Sequence, residues 1–299
     1  MATSVLQADV VIIGAGPAGL TAATYLGRFL RKAVVLHSGE SRAALIPTSH
    51  NYPGFPSGIN GRDLIARMSE QASSYGVTLG QASVTGLRRT DGGFEAHHSS
   101  GSIVAKSAIL ATGIVDNNPH ISGIAGAIYD GQLRYCPICD GYEVMDKRVG
   151  VIGPATSALK KALFLRTYTR TVTLISAEEL SPQDRDRAEA ASVEIVEGEV
   201  DEVVRDDVVT VILRDSRKIV VDTVYPALGC RPRSQLATKL GVNVDSMGAI
   251  EVDRNQETSV KRLYAIGDVV SEIDQISVAI GHAAIAATHI HNWLPKDMR

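Results

Sequence analysis

Asp9-Val10-Val11-Ile12-Ile13-Gly14-Ala15-Gly16-Pro17-Ala18-Gly19 is the stretch on which the fold of this chain turns. Val10 to Ile13 is a continuous apolar run without alternation, the pattern of a parallel strand buried on both faces. It runs into Gly-x-Gly-x-x-Gly, which opens an Ala-rich helix reaching about Leu30, and Ala33 to Leu36 reads as a second strand. A glycine pattern alone is a weak signal. Framed by strand, helix and strand it becomes a dinucleotide fingerprint. Gly14 makes the tight turn, Gly16 lets the backbone approach a pyrophosphate, and Gly19 lets the helix pack close to the strand. The helix N-terminus then faces the anion. The acidic residue that normally holds a ribose should follow the second strand. His37-Ser38-Gly39-Glu40 brings Glu40 late by a residue or more, so Glu40 and Ser38 are alternative ribose contacts.

Working outward, the same unit recurs. Val149 to Ile152 leads into Gly153-Pro154-Ala155-Thr156-Ser157-Ala158, 139 positions after Gly14, followed by a helix to about Tyr168 and a strand over Thr171–Ile175. This copy is degraded, because Ala155 stands where a glycine would admit a pyrophosphate. Between the two units lie a turn-rich loop at Ser49–Pro56, an amphipathic helix at Arg62–Tyr75, and several short strands over Val77–Ile103 that turn at Gly92-Gly93. Ile109 to Gly113 is a strand ending in a tight turn, and Asp116–Pro119 is linker-like. After the second unit come strands near Val193–Val196, Val208–Arg214, Lys218–Val221 and Val224–Leu228, then a second linker at Gly229–Pro232. The duplication predicts an α/β chain with two Rossmann-like three-layer nucleotide-binding domains.

Ahead of the second copy sits Cys136-Pro137-Ile138-Cys139-Asp140-Gly141. Two thiols at this spacing close into a small disulfide ring and reopen without rebuilding the backbone, and a neighbouring carboxyl handles the proton. The same spacing supplies half of many zinc sites. No second CxxC is present, Cys230 is the only other cysteine, and His97-His98 and His289-x-His291 have the wrong spacing for a zinc finger. The redox reading leads, and no metal is expected. Gly267-Asp268 follows the apolar Leu263–Ile266, where the carboxylate either reaches a sugar hydroxyl or caps the next helix. Gln275 to about Trp293 is that terminal helix.

With 299 residues, 44% hydrophobic and 21% charged, the chain has the make-up of a globular protein of about two domains. A net charge of −3 without a Lys/Arg block argues against nucleic-acid binding. Met1–Ala8 lacks the basic and apolar regions of a signal peptide, and the apolar C-terminal stretch carries His282, His289 and His291, which a membrane span tolerates poorly. Three cysteines do not make a stapled secreted scaffold, so a reducing, cytoplasmic setting is expected.

In order and spacing, GAGPAG at Gly14–Gly19, ATG at Ala111–Gly113, CxxCDG at Cys136–Gly141, the second turn at Gly153 and GD at Gly267-Asp268 resemble the low-molecular-weight thioredoxin reductase family over nearly the whole chain. The resemblance implies an FAD domain built from both chain ends, 1–117 and 230–299, with a dithiol-bearing NAD(P)-binding-like domain, 118–229, inserted between them. It implies FAD held by Gly14, Gly16, Pro17, Ala18 and Gly19, with Ser38 or Glu40 on the ribose. Asn51, Thr112, Gly113, Gly267 and Asp268 complete the cofactor set, with Gln275 and Ile276 at the helix N-terminus facing the flavin. It further implies a homodimer that passes electrons from NADPH through FAD and the dithiol to a thioredoxin disulfide. Cys139 would lie nearer the flavin, Cys136 would attack the partner, and Asp140 would be the acid.

The departures bear on the donor. NADPH-using members carry a basic HRRxxxR run after the strand of the second site, where arginines clamp the 2′-phosphate. This chain has Ser176-Ala177-Glu178-Glu179-Leu180, whose carboxylates repel a phosphate. Lys160-Lys161 replaces the usual acidic pair, CPICDG the more frequent CATCDG, and Ser41–Leu45 lacks the usual GGQ. In this the chain is similar to branches that have lost the nicotinamide site, ferredoxin-dependent ones among them, and to fungal dithiol oxidases. The expected function is therefore FAD-dependent reduction of a protein disulfide with NAD(P)H use in doubt. Two alternatives remain: a dithiol oxidase that passes electrons from a small dithiol to oxygen, and a non-catalytic FAD-binding redox sensor.

Overall fold

The structure, a computed structural model, describes residues 5–270 and 273–295. The chain divides into two compact units, the first drawn from Met1–Ala44, Gly61–Val115 and Arg231–Arg299, the second from Leu45–Asn60 and Asp116–Cys230. Residues 45–60 thus group with the second unit, whereas the sequence alone gave no reason to break the first segment before 117.

In the first unit β1 (Val5–Ile13), α1 (Pro17–Arg28), β2 (Ala33–His37), α2 (Gly61–Ser74) and β3 (Thr78–Gln81) are followed by β4 (Val84–Thr90), β5 (Gly93–His98) and β6 (Gly101–Leu110). The sheet runs β3-β2-β1-β6-β5-β4. Val10, Val11 and Ile12 are fully buried, as expected of a central parallel strand. Where the sequence pattern suggests one strand ending near Ile103 and another starting at Ile109, the structure has β6. It is one strand with two partners on the same edge. Its first half pairs antiparallel with β5 and its last three residues pair parallel with β16 (Leu263–Ala265).

One face of this sheet packs on α1 and α8 (Ile276–Trp293) through Ala22, Ala23 and Leu26 from one helix and Ala283, Ala286, Ala287 and Ile290 from the other. The alanines let the two helices approach closely. The opposite face buries Val11, Ile13, Phe94 and Leu110.

Where the chain crosses between units, β7 (Ile114–Asp116) pairs with β15 (Cys230–Pro232). The second unit holds α3 (Ile124–Tyr129), α4 (Pro137–Asp140), β8 (Val149–Ile152), α5 (Ala155–Leu165), β9 (Val172–Ser176), α6 (Pro182–Ala190) and β10 (Glu194–Glu197). β11 (Val200–Arg205), β12 (Val209–Leu213), β13 (Lys218–Val221) and β14 (Thr223–Pro226) complete it, and α7 (Gln235–Thr238) follows β15 in the first unit. The parallel sheet of the second unit is ordered β10-β9-β8-β14, with an antiparallel β11-β12-β13 sheet beside it. The duplicated design is a pair of Rossmann-like domains. α6 and β11 do not show in the sequence pattern, and burial explains why. Only Ala188 of α6 and only Val203 of β11 are fully buried, so neither shows an apolar period.

Candidate active site

Leu133 bridges Val224 of β14, and the Arg134 amide donates to the Val224 carbonyl at 2.9 Å, which anchors the chain just before the dithiol. Cys136 is the extended N-cap of α4, and Pro137 at the first helical position supplies a pre-set φ. One helical turn then brings residues i and i+3 onto the same side. The Cys139 amide donates to the Cys136 carbonyl at 2.9 Å and to its Sγ at 3.1 Å. The two cysteines, half-buried, form a disulfide with Cα atoms 5.3 Å apart. Gly141 is required by close packing, since a Cβ there would lie 2.6 Å from both the Pro137 carbonyl oxygen and the Tyr168 ring.

Asp140 lies beside the pair, and both carboxylate oxygens have donors. Arg134 Nη1 donates to Oδ2 at 3.0 Å, and the hydroxyl of the fully buried Tyr225 donates to Oδ1 at 2.7 Å. Burial raises the Asp140 pKa above the usual carboxylate range; Arg134 and Tyr225 pull it back down, and nearby Glu143 pushes it up. Burial and the Asp140 charge also push the Tyr225 hydroxyl well up. Lys161 of α5 donates to the carbonyls of Tyr135 at 2.8 Å and Pro226 at 2.5 Å, tying the residue before Cys136 to the end of β14. Burial lowers its pKa to about 8, against the opposing pull of Asp116, Asp140 and Cys230.

The first glycine turn is built as a cradle. Gly14 has φ +116°, and a Cβ there would sit 2.1 Å from the Ala111 carbonyl oxygen; one on Gly19 would sit 1.9 Å from the Gly14 carbonyl oxygen. Strand β1, the turn after β6 and helix α1 therefore touch backbone to backbone. Gly16 is the N-cap of α1, Pro17 opens the helix, and a glycine at the cap offers its amides no side chain. Gly267 packs its Cα face on Ala18, where a Cβ would lie 2.9 Å from the Ala18 Cβ, so Asp268 stands by the start of α1. Arg42 Nη1 is 3.7 Å from Asp268 Oδ2. Gln275 is the extended N-cap of α8, which begins at Ile276 and likewise has no side-chain cap. Uncapped amides at a turn too tight for side chains, with a carboxylate nearby for a sugar, fit a dinucleotide such as FAD.

The remaining predicted contacts have other geometry. Thr112 donates its hydroxyl to the Arg233 carbonyl at 2.7 Å, beside Gly113 in the turn after β6. Ser38 and Glu40 are exposed after β2, with Glu40 3.5 Å from Arg62. Asn51 belongs to the second unit, where its Oδ1 accepts from the Ser49 hydroxyl at 3.3 Å.

At the second turn the Ala155 amide, at the start of α5, donates to Glu178 Oε2 at 3.0 Å. The chain's own carboxylate thus meets an amide that would otherwise face a pyrophosphate. With Glu179 next to it at the end of β9, these residues do not fit a 2′-phosphate. Neither Arg134 nor Tyr225 stands out in the sequence as part of the site. The signal for Tyr225 was a phenol within an apolar strand, which needs a polar partner once buried. Arg134 offered only its place two residues before Cys136. Among the described residues no group of three or more His, Cys, Asp or Glu could hold a metal ion, and no helix is long and apolar enough to cross a membrane.

Two Rossmann-like units, a nucleotide cradle and a CxxC disulfide beside a carboxyl define a flavin-type disulfide oxidoreductase. The family model for pyridine nucleotide-disulphide oxidoreductases matches residues 8–283. The thioredoxin reductase of Mycolicibacterium smegmatis is 32% identical, over 99% of this chain and 100% of that protein. A 34.2 kDa protein in the rubredoxin operon of Clostridium pasteurianum is also 32% identical, over 96% and 97%. The crystal structure of thioredoxin reductase from Streptococcus pyogenes superposes with a TM-score of 0.90 at 27% identity, covering 97% of this chain and 99% of that one. The chain belongs to the pyridine nucleotide-disulphide oxidoreductase family, in its low-molecular-weight thioredoxin-reductase-like group. It is a flavoprotein disulfide oxidoreductase whose cofactor is FAD.

Proposed function

We propose that this enzyme passes electrons between FAD and the disulfide of thioredoxin or a similar protein by opening and closing the Cys136–Cys139 bond, fed by a donor other than NADPH. The observation that carries this reading is the closed Cys136–Cys139 pair next to a buried carboxyl with a donor on each oxygen. Bound FAD supplies the two-electron chemistry. The glycine turn at Gly14–Gly19 and Asp268 would hold it, with Gln275 and Ile276 at the N-terminus of α8 completing the site. In this reading Cys136 would attack the partner, and Cys139 would be the sulfur that exchanges electrons with FAD. The dithiol gives up two electrons and two protons as its bond closes, and the partner's disulfide takes both to become two thiols. Asp140 holds the proton in transit. Ile138 and Tyr142, both exposed, offer an apolar rim to the partner.

The donor reading is supported by Glu178 on the Ala155 amide, by Glu179, and by the lack of a basic run after β9. An iron–sulfur donor such as ferredoxin needs no nucleotide site. Anaerobic bleaching of the yellow protein with NADPH, NADH and reduced ferredoxin in parallel tests this. Bleaching by ferredoxin but only slowly by NADPH is expected, with thioredoxin disulfide reduced in turn. Bleaching by NADPH as fast as by dithionite would overturn the donor reading. Steady oxygen uptake on a small dithiol without turnover of thioredoxin would replace reductase with dithiol oxidase. The resemblance also supports a homodimer, for which light scattering should give about twice the chain mass of 31.8 kDa.

A further inference from the structure

The acid beside the dithiol is held in a way that the CxxCDG motif does not encode. Arg134 reaches Asp140 Oδ2 at 3.0 Å while its Nε donates to the Gly131 carbonyl at 3.1 Å, which fixes the guanidinium from both sides. Tyr225 projects from the buried strand β14 and donates to Asp140 Oδ1 at 2.7 Å, with the Asp140 carbonyl at 3.2 Å. An arginine does not deprotonate in a protein, and the Tyr225 hydroxyl is pushed far above its ordinary value. The carboxyl is therefore the member of this trio suited to take up and release a proton. Burial alone favours its protonated form, and a protonated carboxyl cannot take a proton from a thiol.

We propose that Arg134 and Tyr225 are positioning residues that keep Asp140 oriented toward the dithiol and available as a base when the reduced pair attacks a disulfide. In that step a Cys136 thiol proton passes to the Asp140 carboxylate as sulfur attacks the substrate disulfide. A mixed disulfide forms and one substrate thiolate leaves. Cys139 then displaces the second substrate sulfur, closing the Cys136–Cys139 bond, and the two protons of the dithiol end on the two substrate thiols. The other charged groups facing Asp140 are Glu143, which opposes its ionisation, and Lys161, whose own neighbours include Asp116 and Cys230. The inference rests on the dithiol reading above.

The test uses FAD-loaded protein that has been reduced and freed of reductant. It is mixed in stopped flow with an aromatic disulfide such as DTNB from pH 5.5 to 9, so that no physiological donor is needed. Arg134→Met should move the rising limb of the rate profile up by about one pH unit, a loss of about tenfold near pH 6 that closes by pH 9. Tyr225→Phe should move it in the same direction by less, and Arg134→Lys should restore most of the wild-type profile. In an Asp140→Asn background, Arg134→Met should produce no further shift, which separates an effect through the carboxyl from a direct pull on the thiols. Profiles that keep their midpoint while falling evenly at all pH would mean a structural role and overturn the proposal. A full additional shift in the Asp140→Asn background would overturn it as well. Should Arg134→Met fail to fold, Tyr225→Phe and Arg134→Lys decide by the same criteria. Reduced wild-type protein inert to the aromatic disulfide at every pH would instead sink the dithiol reading, and this inference with it.

Discussion

At the scale of single residues, Lys161 shows how one substitution changes meaning with depth. In the sequence it is half of a basic pair that departs from the family's acidic pattern. In the fold Lys160 is exposed, while Lys161 tucks under the dithiol loop and grips the Tyr135 and Pro226 carbonyls. Its folded pKa, about 8, lies below the ordinary 10.5. The unfolded chain therefore binds the extra proton between these values, and stability rises with pH across that window. Relative to Lys161→Met, the wild type should gain stability as pH goes from about 8 to 10.5, as read by urea unfolding at several pH values. A difference that stays constant, or shrinks, would contradict a depressed lysine. At neutral pH the variant also loses both hydrogen bonds, so Cys136 should become more accessible to alkylation in the reduced protein.

At the scale of elements, the two nucleotide turns are the same device in two conditions. In the first, α1 begins with uncapped amides, and its approach to β1 leaves no room for a side chain at Gly19. Gly19→Ala would place a methyl 1.9 Å from the Gly14 carbonyl oxygen and force the helix away from the strand. A loss of about 1–3 kcal/mol, as for overpacked cores, is expected together with loss of FAD on purification. A variant that stays yellow with an unchanged Tm would refute this account of the turn. In the second, Glu178 supplies the negative charge at the start of α5. Glu178→Ala should cost that helix a little stability and free its amide, raising affinity for NADH by about fivefold, the worth of one charge at a helix terminus. Calorimetric titration measures it, and unchanged NADH binding would show that the carboxylate is not what limits the second turn.

At the scale of the molecule, the proposed cradle for FAD draws on both ends of the chain: β1 and α1 come from its start, Asp268 and α8 from its end. A ligand that binds only when those distant segments are assembled stabilises the assembly by mass action. FAD added to deflavinated protein at a hundred times its Kd should therefore contribute about 2.7 kcal/mol, seen as a concentration-dependent rise in Tm. A Tm insensitive to FAD would mean that the first unit does not close around it.

Local chemistry was enough for much of this. Continuous apolar strands, the glycines at 14, 16 and 19, the repeat at Gly153, the CxxC spacing and the Gly267-Asp268 turn each act over a few residues, so their order in the chain already specified the fold class and the dithiol. What lay beyond reach were contacts between segments far apart in the chain. Arg134 and Tyr225 meet across 91 positions at one carboxyl, Glu178 finds the Ala155 amide 23 residues back, and β6 is one strand because β5 and β16 share its edge. Hydrogen bonds and burial of this kind depend on which surfaces the sheets bring together, and no periodicity in the chain records that.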